Sequence, residues 1–175
     1  MNHILDIKNL HVRGATPDGV AHAVRGIDCH VRAGECLGIV GESGSGKSQT
    51  FLAAMGLLGS NGATEGDIEF MGQNLLDLPL NTLNTIRGNA ISMIFQDPLT
   101  SLTPHMKVVQ QMREVLRLHR RLDGAAADKT CLEWLERVRI PDAKRRLQQY
   151  PHEFSGGMRQ RVMIAMAMLC NPKLL

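Results

Sequence analysis

Aromatic side chains are scarce: one Trp, one Tyr and four Phe stand among 175 residues, and none precedes Phe51. Proteins that hold single-stranded nucleic acid stack successive bases on such rings, so their near-absence argues against that class of partner. Charge of one sign is missing too. Twenty Lys and Arg face 17 Asp and Glu, and a net +3 spread along the chain forms no basic footprint. Long apolar runs are lacking: the longest, Val162 to Cys170, is about half of what a membrane-spanning helix needs. The opening Met1-Asn2-His3-Ile4-Leu5-Asp6 carries no basic-then-apolar targeting pattern, so a cytosolic chain is expected. The four cysteines, Cys29, Cys36, Cys131 and Cys170, have no C-x-x-C spacing and sit in apolar segments, which reads as reduced small hydrophobes. The seven histidines offer no metal-ligand pairing. With 43% hydrophobic and 21% charged residues, disordered and fibrous classes are excluded and a globular domain is left.

What is present follows a clear order. Ile4, Leu5, Ile7, Leu10 and Val12 mixed with polar residues predict a half-buried strand, turned at Pro17-Asp18-Gly19 into a second one in which Ile27, Cys29 and Val31 alternate with Asp28, His30 and Arg32. An antiparallel layer therefore opens the chain. The non-alternating run Cys36-Leu37-Gly38-Ile39-Val40 predicts a strand covered on both faces, and Ile91 to Phe95 predicts another. Helical character covers Lys47 to Leu58 and Leu80 to Arg87, a loop is expected over Gly59 to Gly66, and Asp67 to Phe70 returns as a strand. Between Lys107 and Gln149 apolar residues recur at three-to-four spacing, with Arg137, Arg139, Lys144, Arg145 and Arg146 as a solvated basic face; this predicts a helical subdomain inserted into an α/β core. Met158 to Cys170 is apolar nearly all round, hence a buried helix, with its methionines as core filler. Asn171-Pro172 stops it, and Lys173-Leu174-Leu175 resembles the start of a further strand.

The strongest signal is Gly41-Glu42-Ser43-Gly44-Ser45-Gly46-Lys47-Ser48, which fits G-x-x-x-x-G-K-[ST] between an expected buried strand and a helix. Glycines let the backbone curl so that several N–H groups converge on phosphate oxygens, and the helix from Lys47 adds the positive end of its dipole. Lys47 is expected to reach the β and γ phosphates, with Gln49 in the same helical turn. Ser48 is expected to take one coordination position of a Mg²⁺ ion. On its own this loop says only that a nucleoside triphosphate is bound.

A second anion-ready helix start lies at Ser155-Gly156-Gly157-Met158, where Ser155 is a good N-cap and two glycines leave backbone N–H groups open. Two such cradles in one chain, with Gln96 ending an apolar run between them, resemble the ATP-binding-cassette family. Ser155 to Met158 matches its signature motif, Gly41 to Ser48 its Walker A loop and Gln96 its Q-loop. The resemblance covers the whole chain. It is closest to the ATP-binding subunits of oligopeptide and dipeptide importers, whose wording is similar to Ser92-Met93-Ile94-Phe95-Gln96-Asp97-Pro98 with Thr100-Ser101-Leu102, and to Tyr150-Pro151-His152-Glu153-Phe154 ahead of the signature. Nickel importers of the same branch read similarly.

The resemblance implies an α/β P-loop cassette in three parts: residues 1–96 as antiparallel layer and nucleotide-binding core, 97–157 as helical subdomain ending in the signature, and 158–175 as signature helix and start of the Walker B strand. It implies ATP and Mg²⁺ as ligands, with Ser48 and Gln96 on the metal and Gln96 near the attacking water. The signature would close on ATP held by a second cassette. It further implies transmembrane permease subunits, an indirect link to a substrate-binding protein, no nucleic acid, and a peripheral place on the cytoplasmic face of the bacterial inner membrane. Two departures stand out. Gly14 or Arg13 stands about where the family carries an adenine-stacking aromatic, and the Walker B Asp, catalytic Glu and switch His would fall after Leu175. The function expected is therefore a transport-coupled ATPase subunit; the alternative is a non-catalytic nucleotide-binding fragment, inert or competing with an intact cassette.

Overall fold

In a computed structural model, which describes residues 3–97 and 101–175, the chain divides into two compact units, Met1–Leu83 and Asn84–Leu175. The first is built on a four-stranded antiparallel sheet in the order β2-β1-β3-β4, with β1 at His3–Thr16, β2 at Gly19–Arg32, β3 at Gly62–Phe70 and β4 at Gln73–Asn74. Between β2 and β3 runs helix α1, Lys47–Ala54, and a second helix, α2, covers Leu80–Ile86.

The buried residues of β1 are Leu5, Ile7, Leu10 and Val12, so the two-residue period slips by one between Ile7 and Leu10. The cause is Asn9, which adopts a left-handed φ of 46° and shifts the register against both neighbouring strands. A strand that bulges toward both partners needs room on each side. Gly66 on β3 and Gly26 on β2 provide it: a Cβ on Gly66 would lie 2.4 Å from the Asn9 carbonyl oxygen, and one on Gly26 would lie 3.1 Å from Asn9 Oδ1. The expected loop over Gly59 to Gly66 is thus strand from Gly62 onward, with Gly66 serving the bulge rather than a turn.

The second unit contains α3 (Val108–Arg120), α4 (Gly124–Arg137), α5 (Ala143–Arg146) and α6 (Gly156–Met168). Their apolar faces meet in one cluster that includes Val108, Met112, Leu116, Cys131, Leu135, Ile140, Phe154, Met158 and Val162. Each such side chain contributes about 1.5–3 kcal/mol by leaving water. Residues 84–96 fall within this unit. The basic stretch is only partly free: Arg137 lies 4.8 Å over the Trp134 ring, and Arg146 5.8 Å over Phe154.

Two expected strands do not form. Cys36 to Val40 has no strand pairing and is exposed, with Val40 at 94%, Ile39 at 40% and Leu37 at 41%. A doubly covered strand exists only through its neighbours, and this run has none among the described residues. Of Ile91 to Phe95, only Ile91 pairs, through parallel bridges to Arg87 and Leu174, while Phe95 is 48% exposed. Helix α1 is also shorter than expected, ending at Ala54 with Met55 as its C-cap. The Pro98 and Thr100 of the importer wording lie outside the described residues.

All four cysteines are free, as expected of reduced thiols; Cys131 and Cys170 are buried, Cys29 is half-buried and Cys36 is exposed. Burial pushes the Cys131 thiol up to about 12 and raises those of Cys29 and Cys170. At pH 7 a maleimide should therefore label Cys36 first, with Cys131 unreacted until the chain unfolds. Peptide mapping of a timed labelling reaction checks the order.

Helices α3 and α4 are also tied by a fork: Arg113 Nε and Nη2 each donate to one oxygen of Asp128, both at 2.5 Å. This holds the Asp128 carboxyl below its ordinary 3.8, so its contribution is complete above about pH 4 and is lost as pH falls through the folded-state value. Both side chains are a little over one-third exposed, which limits the pair to about 0.5–1 kcal/mol after solvent screening. Asp128→Asn should lower the unfolding free energy obtained from urea titration by that amount at pH 7, and the difference should close once the pH lies well below the folded-state value of Asp128; a gap that persists there would assign the loss to something other than charge.

Candidate nucleotide-binding site

The glycine-rich loop gets its shape from one close approach. Against β1, strand β2 carries an extra residue, since Val12 pairs with Val24 but Arg13 pairs with His22. The bulged residue is Ala23. Its carbonyl oxygen lies where a Cβ on Gly46 would be only 2.3 Å away, so at position 46 nothing but glycine fits. Gly46 is the N-cap of α1, at φ 90°, and supplies no side-chain cap. The first turn of α1 is fastened by Thr50, whose backbone N–H and hydroxyl both donate to the Gly46 carbonyl, at 3.0 and 3.1 Å. Thr50, Ala53 and Ala54 form the buried face of this helix.

Around this seat the loop closes on its lysine. Lys47 Nζ donates to the carbonyls of Gly41 and Glu42, both at 2.6 Å, and to Ser45 Oγ at 3.2 Å. The Ser45 N–H returns to the Glu42 carbonyl at 3.2 Å, and Gly44 turns the backbone at φ 81°. Gly41, Glu42, Ser43, Gly44, Ser45, Ser48 and Gln49 are exposed. The arrangement is a curled backbone, an ammonium drawn into its mouth and a helix N-terminus without a cap, and these residues fit a phosphate chain. For a divalent cation the loop offers the exposed Ser48 hydroxyl. Gln96 is exposed in a bend of the second unit. Arg13 is held by Glu65 at 3.0 Å, and Gly14 lies on β1 opposite Ala21 and Gly62.

In the second unit Ser155 caps α6, its Oγ accepting from the Met158 N–H at 3.3 Å. Met158 turns into the apolar cluster and anchors the turn. Ser155, Gly156 and Gly157 are exposed, and a Cβ on either glycine would meet nothing within 4 Å. Among the described residues nothing requires glycine at those two positions. The space over them is open to an outside group, such as an anion approaching the helix start.

The sequence did not single out Ala23, because the contact is made by a carbonyl that every residue carries; the slip in the β2 register was its only trace. Gly46→Ala should weaken binding of a fluorescent ATP analogue at least about tenfold, since the clash is with backbone and the left-handed φ adds strain. Gly44→Ala, whose Cβ would meet nothing, should cost only the strain, about 1 kcal/mol. Equal losses in the two variants would refute the seat.

A match to the ABC transporter family spans residues 24–175. The oligopeptide transport ATP-binding protein OppD of Haemophilus influenzae is 58% identical over 175 residues, covering 100% of this chain and 54% of that protein. The dipeptide transport ATP-binding protein DppD of Bacillus subtilis is 48% identical over 177 residues, covering 100% and 53%. The chain spans about half the length of the curated relatives it matches. Among solved structures, a dimeric bacterial ABC transporter cassette superposes with a TM-score of 0.83 at 26% identity, covering 96% of this chain and 70% of that one. A post-hydrolysis cassette dimer bound to ADP and phosphate gives the same values. With the match beginning one residue past the Ala23 bulge and taking in both the phosphate loop and the glycine-opened helix start, the chain belongs to the ABC transporter family.

Proposed function

We propose that this chain is the nucleotide-binding part of the energy-coupling subunit of a bacterial importer for oligopeptides or dipeptides, in which ATP hydrolysis drives transport. The observation that carries the reading is the loop Gly41 to Ser48, with Lys47 drawn into its mouth by three short contacts. The relatives named for oligopeptide and dipeptide transport, matched along the whole chain, support the substrate class.

In this reading the loop backbone of Gly41, Glu42, Ser43, Gly44, Ser45 and Gly46 cradles the phosphates, with Gln49 on the same turn of α1. When ATP enters, Lys47 exchanges carbonyl partners for β and γ phosphate oxygens. Because its ammonium already lies over the loop, little reorganisation is needed. Ser48 would offer its hydroxyl to a Mg²⁺ ion, with the Gln96 side-chain oxygen as a second candidate ligand, and the ion would neutralise charge on the phosphates. The exposed turn Ser155-Gly156-Gly157, anchored by Met158, meets the ATP of a second cassette. The remaining partners are transmembrane permease subunits, with a substrate-binding protein beyond them and no nucleic acid. Among the described residues no helix is long and apolar enough to cross a membrane, which suits a peripheral subunit on the cytoplasmic face of the inner membrane. The three-part division at residues 96 and 157 belongs to the same reading.

The test is transport by the full-length protein assembled with its permease subunits in proteoliposomes. ATP should drive uptake of a labelled tripeptide, and Lys47→Ala should lower both ATPase and uptake at least about a hundredfold. Uptake of nickel with no response to peptide would overturn the substrate class; full activity of the Lys47 variant would overturn the site.

A further inference from the structure

Glycine is the residue type with the least restricted backbone, and among the described residues no atom lies within 4 Å of where a Cβ on Gly156 or Gly157 would sit. Hydrogen bonds restrain the turn instead: the Arg159 N–H donates to the Ser155 carbonyl at 2.9 Å and Arg159 Nη1 to the Phe154 carbonyl at 2.8 Å, and two further bonds flank the glycines. On one side Ser155 Oγ accepts from the Met158 N–H. On the other, Arg161 Nε donates to the Gly157 carbonyl at 3.3 Å, one helical turn back. The same guanidinium reaches out of α6: Arg161 Nη1 donates to the carbonyl of Arg139.

Arg139 is fixed with unusual care. It stands just past the end of α4 at a left-handed φ of 57°, a position where glycine is the usual choice. The Ile140 N–H returns to the Leu135 carbonyl at 2.9 Å and the Arg139 N–H to Glu136 at 2.8 Å, the paired bonds of a Schellman cap. Ile140 and Leu135 are both buried in the apolar cluster, completing the cap with its hydrophobic contact. The Arg139 carbonyl is therefore a rigid point, set by helix α4 and the core beneath it.

We infer that Arg161 is a positioning residue: its planar fork clamps the Gly156-Gly157 turn to the capped end of α4, so that the open N–H groups of that turn are pre-aimed at an anion. This rests on the reading that the turn meets a phosphate of a second cassette. The clamp spends the entropy of two glycines at folding rather than at the moment of contact. A fork is required for it. Lysine keeps the charge but presents one compact ammonium, which does not bridge two carbonyls on separate elements with fixed geometry.

The experiment is steady-state ATPase of the full-length protein assembled with its permease subunits, comparing wild type with Arg161→Lys, Lys144→Ala and Gly156→Asp. Arg161→Lys should lower kcat about tenfold with the KM for ATP within about twofold, because the chain's own phosphate loop is untouched. Lys144→Ala removes an exposed positive charge of the same unit and should leave both constants within twofold, which separates the clamp from a general change of charge. Wild-type kcat in Arg161→Lys, with Gly156→Asp inactive, would overturn the clamp alone. Wild-type kcat in Gly156→Asp would overturn the phosphate-contact reading and the clamp with it. A fall of kcat matched by loss of the folded state in thermal melts of Arg161→Lys would also overturn it.

Discussion

The nucleotide-binding unit depends on one steric fact, the carbonyl of Ala23 pressed against Gly46. A bulge in β2 brings that oxygen out of the sheet, and the missing Cβ of Gly46 receives it. From that contact follow the left-handed turn at the head of α1, the direction of its dipole and the return of Lys47 across the loop. The sheet itself exists in this form because Asn9 slips the pattern of β1 by one residue, and glycines on both neighbours make room for it. Two bulges thus define the unit: one keeps four large side chains on the buried face, and the other aims a carbonyl at the phosphate loop.

The second unit solves a different problem with different means. Its core is ordinary apolar packing, but the edge at the start of α6 is a pair of exposed glycines with open space over them. Order there comes from hydrogen bonds at the margins: a serine cap, an arginine fork and a Schellman cap. Such bonds are individually worth about 1 kcal/mol. Their value is directional, since they leave the N–H groups open while limiting where they point.

Much of this was legible in the sequence, and the parts that were not share a cause. The phosphate loop could be read because its glycines, lysine and serine are residue-type requirements at fixed spacing. The antiparallel layer showed in the alternation of Ile27, Cys29 and Val31, and the helical subdomain in the period of Leu116, Leu132 and Leu135. What escaped is made by backbone atoms or by neighbours. Ala23 and Arg139 act through carbonyls, which no letter encodes. The Arg113–Asp128 fork joins two helices, and a fifteen-residue separation carries no signal. Cys36 to Val40 was misjudged because apolarity states what a segment can bury, whereas burial is decided by what lies beside it.

The hairpin of β1 and β2 carries a consequence for the order of events in folding. Its strands are joined through Pro17 and Asp18, so its contacts close within a short stretch of chain, and elements of this kind form within about 1–10 μs. The pairing of β1 with β3 must bring together residues separated by the whole of α1 and pays a larger loop-closure entropy. The hairpin, with the Ala23 bulge inside it, thus takes shape before the loop that will rest on it. Along the folding route the phosphate loop is cast in a mould already set.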